Sequence, residues 1–246
     1  MRADVEIVSL EAATAVGVET VGGKAFALAR LMQHDVRVPP GFCVTVRGME
    51  RLESAQVAAG LAEALTVLGE GKVAVRSSAV AEDGKHESYA GIFRTVLDVA
   101  PEPDGVRQAL YAVQRSLHEA PANSYRQAMG LAPSSMSAIV QPMIEGDCAG
   151  VMFTRDPVTG ARQLVIEAIV PGAGSGAADY VVLEPGGALV TPDVEDVAPA
   201  LASLLPELAR VARTCDEVLG EGQDIEWAAR DGDLWILQSR PISSLT

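Results

Sequence analysis

The chain has 246 residues, 48% hydrophobic and 21% charged, with a formal net charge of −14. The hydrophobic share supplies a packed core, and the length suits one domain built of two subdomains. A negative field of this strength repels nucleic acid and anionic membrane surfaces, so neither is an expected partner, and a site for an anionic ligand must be assembled locally from a few placed cations or a metal.

The opening "MRADVEIVSL" carries Arg2, Asp4 and Glu6 and has no long apolar core, so no signal peptide is expected. No run of about 18 uninterrupted apolar residues is present, so no membrane span is expected either, and the location to expect is cytoplasmic. Cys43, Cys148 and Cys215 are odd in number and form no CxxC motif, which suits reduced, buried thiols.

In chain order, residues 5–10 form a strand, and "GGKAFALARLMQH" opens a helix on two glycines. "PPGFCVTV" is a rigid turn into a strand, and residues 47–68 are amphipathic and helical. Residues 73–76 form a strand that ends at Arg76, a long polar loop follows, and "FRTVLDV" is its partner strand. Residues 103–129 return to a helix. "SAIVQPMI", "CAGVMFTRD" and "RQLVIEAIV" are three β-rich runs. A glycine-rich connection leads to another strand, residues 197–219 form a last helix, and two strands close the chain around Asp231 and Gly232. Helices alternate with strands early and antiparallel strands dominate late. The fold class is therefore α+β, with a boundary near Ser134 that divides the chain into residues 1–133 and 134–246.

Three places look chemical. In "VGGK", glycines let backbone approach a ligand, and Lys24 stands in the first turn of a helix, where an anion is favoured. The alternative is a glycine turn with a solvated lysine. In "VAVRSSAVAEDGKHESYAGIF", Arg76 ends a strand where its guanidinium can fork onto phosphate oxygens, and a slim loop follows that can cover a ligand. A loop of that length without structure of its own is usually functional. In the closing hairpin, Gln238 and Arg240 share a face, and Glu226 lies on the partner strand. A carboxylate, an amide oxygen and a guanidinium on one face suit Mg²⁺ bridging phosphates. For Glu226 and Gln238 to share that face, the turn at Asp231 and Gly232 must be three-residue or bulged.

The blocks "GGKAFALARL", "VPPGF", "VAVRSSAVAEDGKHESYAG", "GVMFTRDPVTG" and "QDIEWAARDGDLWILQSRP" occur in that order over nearly the whole chain. Together they resemble the N-terminal ATP-binding domain of the phosphoenolpyruvate synthase, pyruvate phosphate dikinase and rifampicin phosphotransferase family. The resemblance implies an ATP-grasp fold, two α+β subdomains that clamp ATP, with Mg²⁺ as the metal. By the same resemblance Lys24, Arg76, Gly91 and Thr95 contact the ATP phosphates and Gln141 sits at the adenine. Glu226 and Gln238 hold Mg²⁺, and Arg240 reaches the transferred phosphates, with Arg76 and Arg240 the catalytic pair.

Two departures stand beside the resemblance. Ile92 replaces a glutamine usual in the family, and "VPGAGSGAADYVV" is shorter than the family's GLGE-like segment. His34, His86 and His118 lie outside any phosphocarrier motif and are read as structural or solvated. The expectation is an ATP-dependent phosphotransferase component whose acceptor histidine and second substrate come from a separate chain. A small-molecule kinase or ligase, and a non-catalytic nucleotide-binding subunit, are the alternatives.

Overall fold

The computed structural model describes residues 5–79, 93–119, 135–171, 179–191 and 197–242. It divides into one unit of Met1–Ala29 with Pro40–Met143 and a second of Arg30–Pro39 with Ile144–Thr246.

The first unit is built on a sheet of β1 (Ile7–Ser9), β2 (Phe42–Val44), β3 (Val73–Ala79), β4 (Thr95–Val99) and β5 (Met136–Pro142). Their order is β1-β2-β5-β3-β4, and every pairing is antiparallel. The expected boundary near Ser134 would separate β5 from this sheet. Instead β5 lies between β2 and β3, and the division of the chain comes after it. Its core-facing Met136, Ala138 and Val140 complete an apolar layer with Phe42, Val44, Val73 and Val75.

That layer is covered by α4 (Ala55–Leu68) through Val57, Leu61 and Leu65, and by α5 (Pro103–Ser116) through Val106, Leu110 and Val113. The three- and four-residue spacings put each set on one helical stripe. Residues 47–68, expected as one helix, form α3 (Val46–Glu50) and α4, because Ser54 ends the intervening turn and caps a new start by accepting the Val57 N–H at 3.2 Å. Thr45 caps α3 in the same way through Gly48 N–H, at 3.1 Å. The helix expected over 103–129 runs only from Pro103 to Ser116, and residues 120–134 lie outside the described ones. The opposite face of the sheet receives α2 (Val18–Met32), preceded by a short 3₁₀ turn and α1 (Ala13–Val16).

The second unit holds β6 (Cys148–Phe153), β7 (Leu164–Ile169), β8 (Asp179–Leu183), β9 (Leu189–Thr191), β10 (Gln223–Arg230) and β11 (Asp233–Pro241). Their order is β11-β10-β6-β7-β8-β9, again antiparallel throughout. Ile225, Met152, Ile166 and Val181 form one row across four strands, each fully buried. A short α6 (Pro199–Ala202) precedes α7 (Leu205–Leu219), which packs on β10 and β11 and buries Leu208, Val211, Ala212 and Cys215. The segment Arg30–Pro39 runs with β11: Ile236 N–H donates to Arg37 O at 2.9 Å, and the Arg37 guanidinium lies over the Trp235 ring at 5.4 Å. Both units are mixed helix and antiparallel sheet, so the fold class is α+β. Among the described residues, no helix is long and apolar enough to cross a membrane.

Candidate functional site

The residues singled out from the sequence fall into two groups, one in each unit. In the first unit, Arg76 on β3 is directly opposite Thr95 on β4 and Ile139 on β5. Gln141 faces Ala74 across the same β3–β5 pair, so it shares a face with Arg76. That is the face away from the α4–α5 layer. Arg76 is half-buried, Thr95 is exposed and Gln141 is buried. Lys24 reaches β3 from α2 at the position after Arg76, which alternation turns to the sheet's other face. Its ammonium lies 3.4 Å from the hydroxyl of Ser77, the neighbour of Arg76, and only 8% of the residue is exposed. Gly91 lies outside the described residues, as do His86 and Ile92.

Lys24 stands where the sequence suggested, near a helix start, but the start is made differently. α2 already runs as helix before the glycines and is broken inside by Gly22, at φ 74° and ψ 168°. The left-handed φ is open to glycine at little cost. The space forbids any other residue, since a Cβ on Gly22 would come within 2.0 Å of Ser78 O. The helix that carries Lys24 therefore begins again after the break. Two serines hold it there: Ser78, which follows Arg76 by two residues, and Ser137, which the sequence reading passed over, both bond to Val21 O across the break.

In the second unit, Glu226 on β10 is directly opposite Gln238 on β11, and Asp224 is directly opposite Arg240. These four alternate with the core row, so they occupy the face turned away from α7. The expected special turn is not how the register arises. Arg230 pairs with Asp233 across a two-residue turn, with Asp231 at φ 53° and Gly232 at φ 82°. Positive φ at both central residues is the primed turn that Asp-Gly favours. The shift comes further along as a bulge at Leu237, between the pairs Trp227–Ile236 and Glu226–Gln238.

Arg240 donates from both Nε and Nη2 to one oxygen of Asp224, at 2.9 and 2.7 Å. Asp224 is 13% exposed and Arg240 26%, so the pair is shielded and its geometry is fixed by adjacent strands. Asp224 was not among the residues named from the sequence. The signal was present, because it stands two residues before Glu226 on a period-two strand and so shares its face. Among the described residues, no group of three or more His, Cys, Asp or Glu side chains could hold a metal by itself. One carboxylate and one amide oxygen nevertheless fit Mg²⁺, which takes few protein ligands and completes its shell with phosphate oxygens and water.

Residues 53–185 and 190–246 match the pyruvate phosphate dikinase, AMP/ATP-binding domain. The chain is 31% identical to the prodigiosin synthesizing transferase PigC of Serratia marcescens, over 91% of its own length and 32% of that protein. It is also 31% identical to a rifampicin phosphotransferase of Streptomyces sp, over 97% of its own length and 36% of that protein. It thus spans about a third of the length of these relatives. A solved structure of the ATP-grasp ligase PsnB, with precursor peptide PsnA2 and AMPPNP, aligns over 90% of this chain and 50% of that one, at 14% identity and a TM-score of 0.42.

Proposed function

The chain belongs to the pyruvate phosphate dikinase AMP/ATP-binding domain family, and on that premise we propose that it binds Mg·ATP and passes on a phosphoryl or pyrophosphoryl group. The observation that carries the proposal is the register of β10 and β11, which sets Glu226 opposite Gln238 with Arg240 on the same face. Glu226 and Gln238 would hold Mg²⁺, which when bound neutralises the charge of the phosphate oxygens. Arg240, steadied by Asp224, would present its guanidinium to the transferred phosphate. Arg76, Lys24 and the Thr95 hydroxyl would bind phosphate oxygens from the first unit, and the family resemblance assigns Gly91 a part in the same contact. Gln141 would hydrogen-bond the adenine. Phosphoryl transfer needs positioning and charge neutralisation more than covalent help from the protein, and cations, hydroxyls and an amide supply that.

The acceptor lies outside these residues on this reading, as a phosphocarrier histidine or a small molecule held on a separate chain or segment. His34 and His118 are in no carrier motif. One relative is named for prodigiosin synthesis and another for rifampicin, so this stretch reads as the nucleotide half of the reaction.

Calorimetry of the purified chain with ATP, with and without Mg²⁺, tests the proposal. Binding should require Mg²⁺ for full affinity, raise the melting temperature by mass action, and be accompanied by very slow hydrolysis. Adding the acceptor should speed turnover by orders of magnitude. AMP as product supports dikinase-type chemistry, and ADP supports a kinase or ligase instead. A folded protein that fails to bind Mg·ATP overturns the proposal.

A further inference from the structure

Ser78 on β3 and Ser137 on β5 are directly opposed across the sheet, and both are fully buried. Their hydroxyls meet α2 at its break. A helix interrupted at Gly22 acquires two extra ends, with carbonyls lacking donors before the break and amides lacking acceptors after it. Ser78 serves both ends with one hydroxyl. It donates to Val21 O at 2.8 Å and accepts the Ala25 N–H at 3.1 Å. Ser137 Oγ lies 2.5 Å from Val21 O and 2.6 Å from Ser78 O, bracing the same carbonyl and the strand beside it. This is an N-cap supplied from a different element of the fold. The fit is close, because a Cβ on Gly22 would lie 2.5 Å from Ser78 Oγ. Lys24 sits in the turn that the cap fixes, one residue before Ala25, with its ammonium on Ser77.

We propose that Ser78, backed by Ser137, is the positioning residue for Lys24. It holds the second start of α2 at Gly22, so that the ammonium is aimed before a phosphate arrives. The inference rests on the reading of Lys24 as a phosphate ligand. Neither serine touches the nucleotide on this view. Losing the Ser78 hydroxyl leaves Ala25 N–H without its acceptor and frees the turn to fray. A lysine on a frayed turn must be ordered again at each binding event, which weakens affinity without removing any ligand contact.

The test measures Mg·ATP affinity by calorimetry for Ser78→Ala, Lys24→Ala and the double variant. Ser78→Ala should weaken binding about 5- to 30-fold, the span of a lost cap. In the Lys24→Ala background the same change should cost nothing further in affinity, although it still lowers thermal stability. Losses of affinity that multiply in the double variant overturn the proposal, because Ser78 would then act on something other than Lys24. Ser137→Ala keeps the Ser78 cap and serves where Ser78→Ala does not fold; its smaller loss should vanish in the Lys24→Ala background too, and persistence overturns the proposal. An arm without nucleotide measures acylation of Lys24 by an N-hydroxysuccinimide ester, read by mass spectrometry against Lys72. Lys24 should react slowly in the parent and several-fold faster in the serine variants, while Lys72 is unchanged; an unaltered ratio overturns the proposal. A parent protein that binds no Mg·ATP overturns the proposed function alone, and the labelling arm then decides the positioning role.

Discussion

Glu226 on β10 lies directly across from Gln238 on β11, and Leu237 is the residue that makes it so. Counting from the turn, Arg230 meets Asp233 and Trp227 meets Ile236; an unbroken ladder would set Glu226 against Leu237 and turn Gln238 to the core side. The extra residue moves Gln238 to the face of Glu226, and Arg240 to that of Asp224. Two ligands of one ion are energetically coupled. Glu226→Ala and Gln238→Ala should each weaken Mg²⁺-dependent ATP binding, and the double variant should fall short of their sum by about 0.5–3 kcal/mol. Additive losses in a calorimetric cycle would separate the two residues. Deleting Leu237 keeps the same partners in a regular ladder, so that variant should still bind Mg·ATP.

Arg76 is the strongest candidate for a forked phosphate contact in the first unit. A charge-assisted contact of this kind contributes roughly 1.5–3 kcal/mol. Arg76→Ala should therefore weaken ATP binding or slow turnover by about 10- to 150-fold, with the fold intact, as circular dichroism can check. Arg76→Lys should recover only part of the loss, because an ammonium is a point charge without the fork. Normal affinity and normal turnover in Arg76→Ala would make the arginine structural.

Most elements were legible because their signals are local. The β10–β11 hairpin announced itself through Asp-Gly between alternating strands, and α7 through its apolar stripe. The placement of β5 was not legible. Its partners are β2 and β3, far away in sequence, and a β-rich run looks the same whichever sheet it joins. The break in α2 was hidden for a related reason. "VGGK" reads as a helix entrance, whereas the glycine is demanded by the approach of Ser78, which no pattern around Gly22 encodes. The site follows the same division. The identities of Arg76, Glu226, Gln238 and Arg240 came from motif blocks, but the bulge that aligns Glu226 with Gln238 came from strand pairing. Asp224 was missed although the alternation of β10 displays it.

The cysteines should be inert in the folded protein. Burial pushes the Cys43 thiol up to about 12, against weaker lowering by its bonds to Ser137 and Ala138. Burial likewise pushes Cys215 up to about 12, with the Asp216 charge adding to it. A thiol with a pKa of about 12 is thiolate in only about one molecule in ten thousand at pH 8, and the thiolate is the reactive form. Ellman's reagent at pH 8 should leave Cys43 and Cys215 unmodified in the native protein and reach both after denaturation. Rapid native modification of either would contradict its burial.

Asp216 provides a pH dependence whose sign is opposite to that of a salt-bridged carboxylate. It sits on α7, and burial is the main influence raising its pKa, helped by the nearby Glu221 charge. Hydrogen bonds from the Thr154 hydroxyl at 2.6 Å and the Gly222 N–H at 3.2 Å, and the Arg155 charge, only partly offset this. The folded protein therefore binds a proton at Asp216 more readily than the unfolded chain does. Ionised Asp216 costs stability above its raised pKa, and the cost shrinks as pH falls through that value and disappears below the ordinary 3.8. Asp216→Asn keeps an oxygen able to accept both hydrogen bonds and removes the charge. It should raise the melting temperature at pH 7 by about 1–2 °C, a small effect because the half-exposed carboxylate is screened by water. Melting curves of parent and variant should converge as the pH is lowered toward 4. A variant less stable than the parent at pH 7 would mean that the carboxylate's hydrogen bonds and its attraction to Arg155 outweigh its burial.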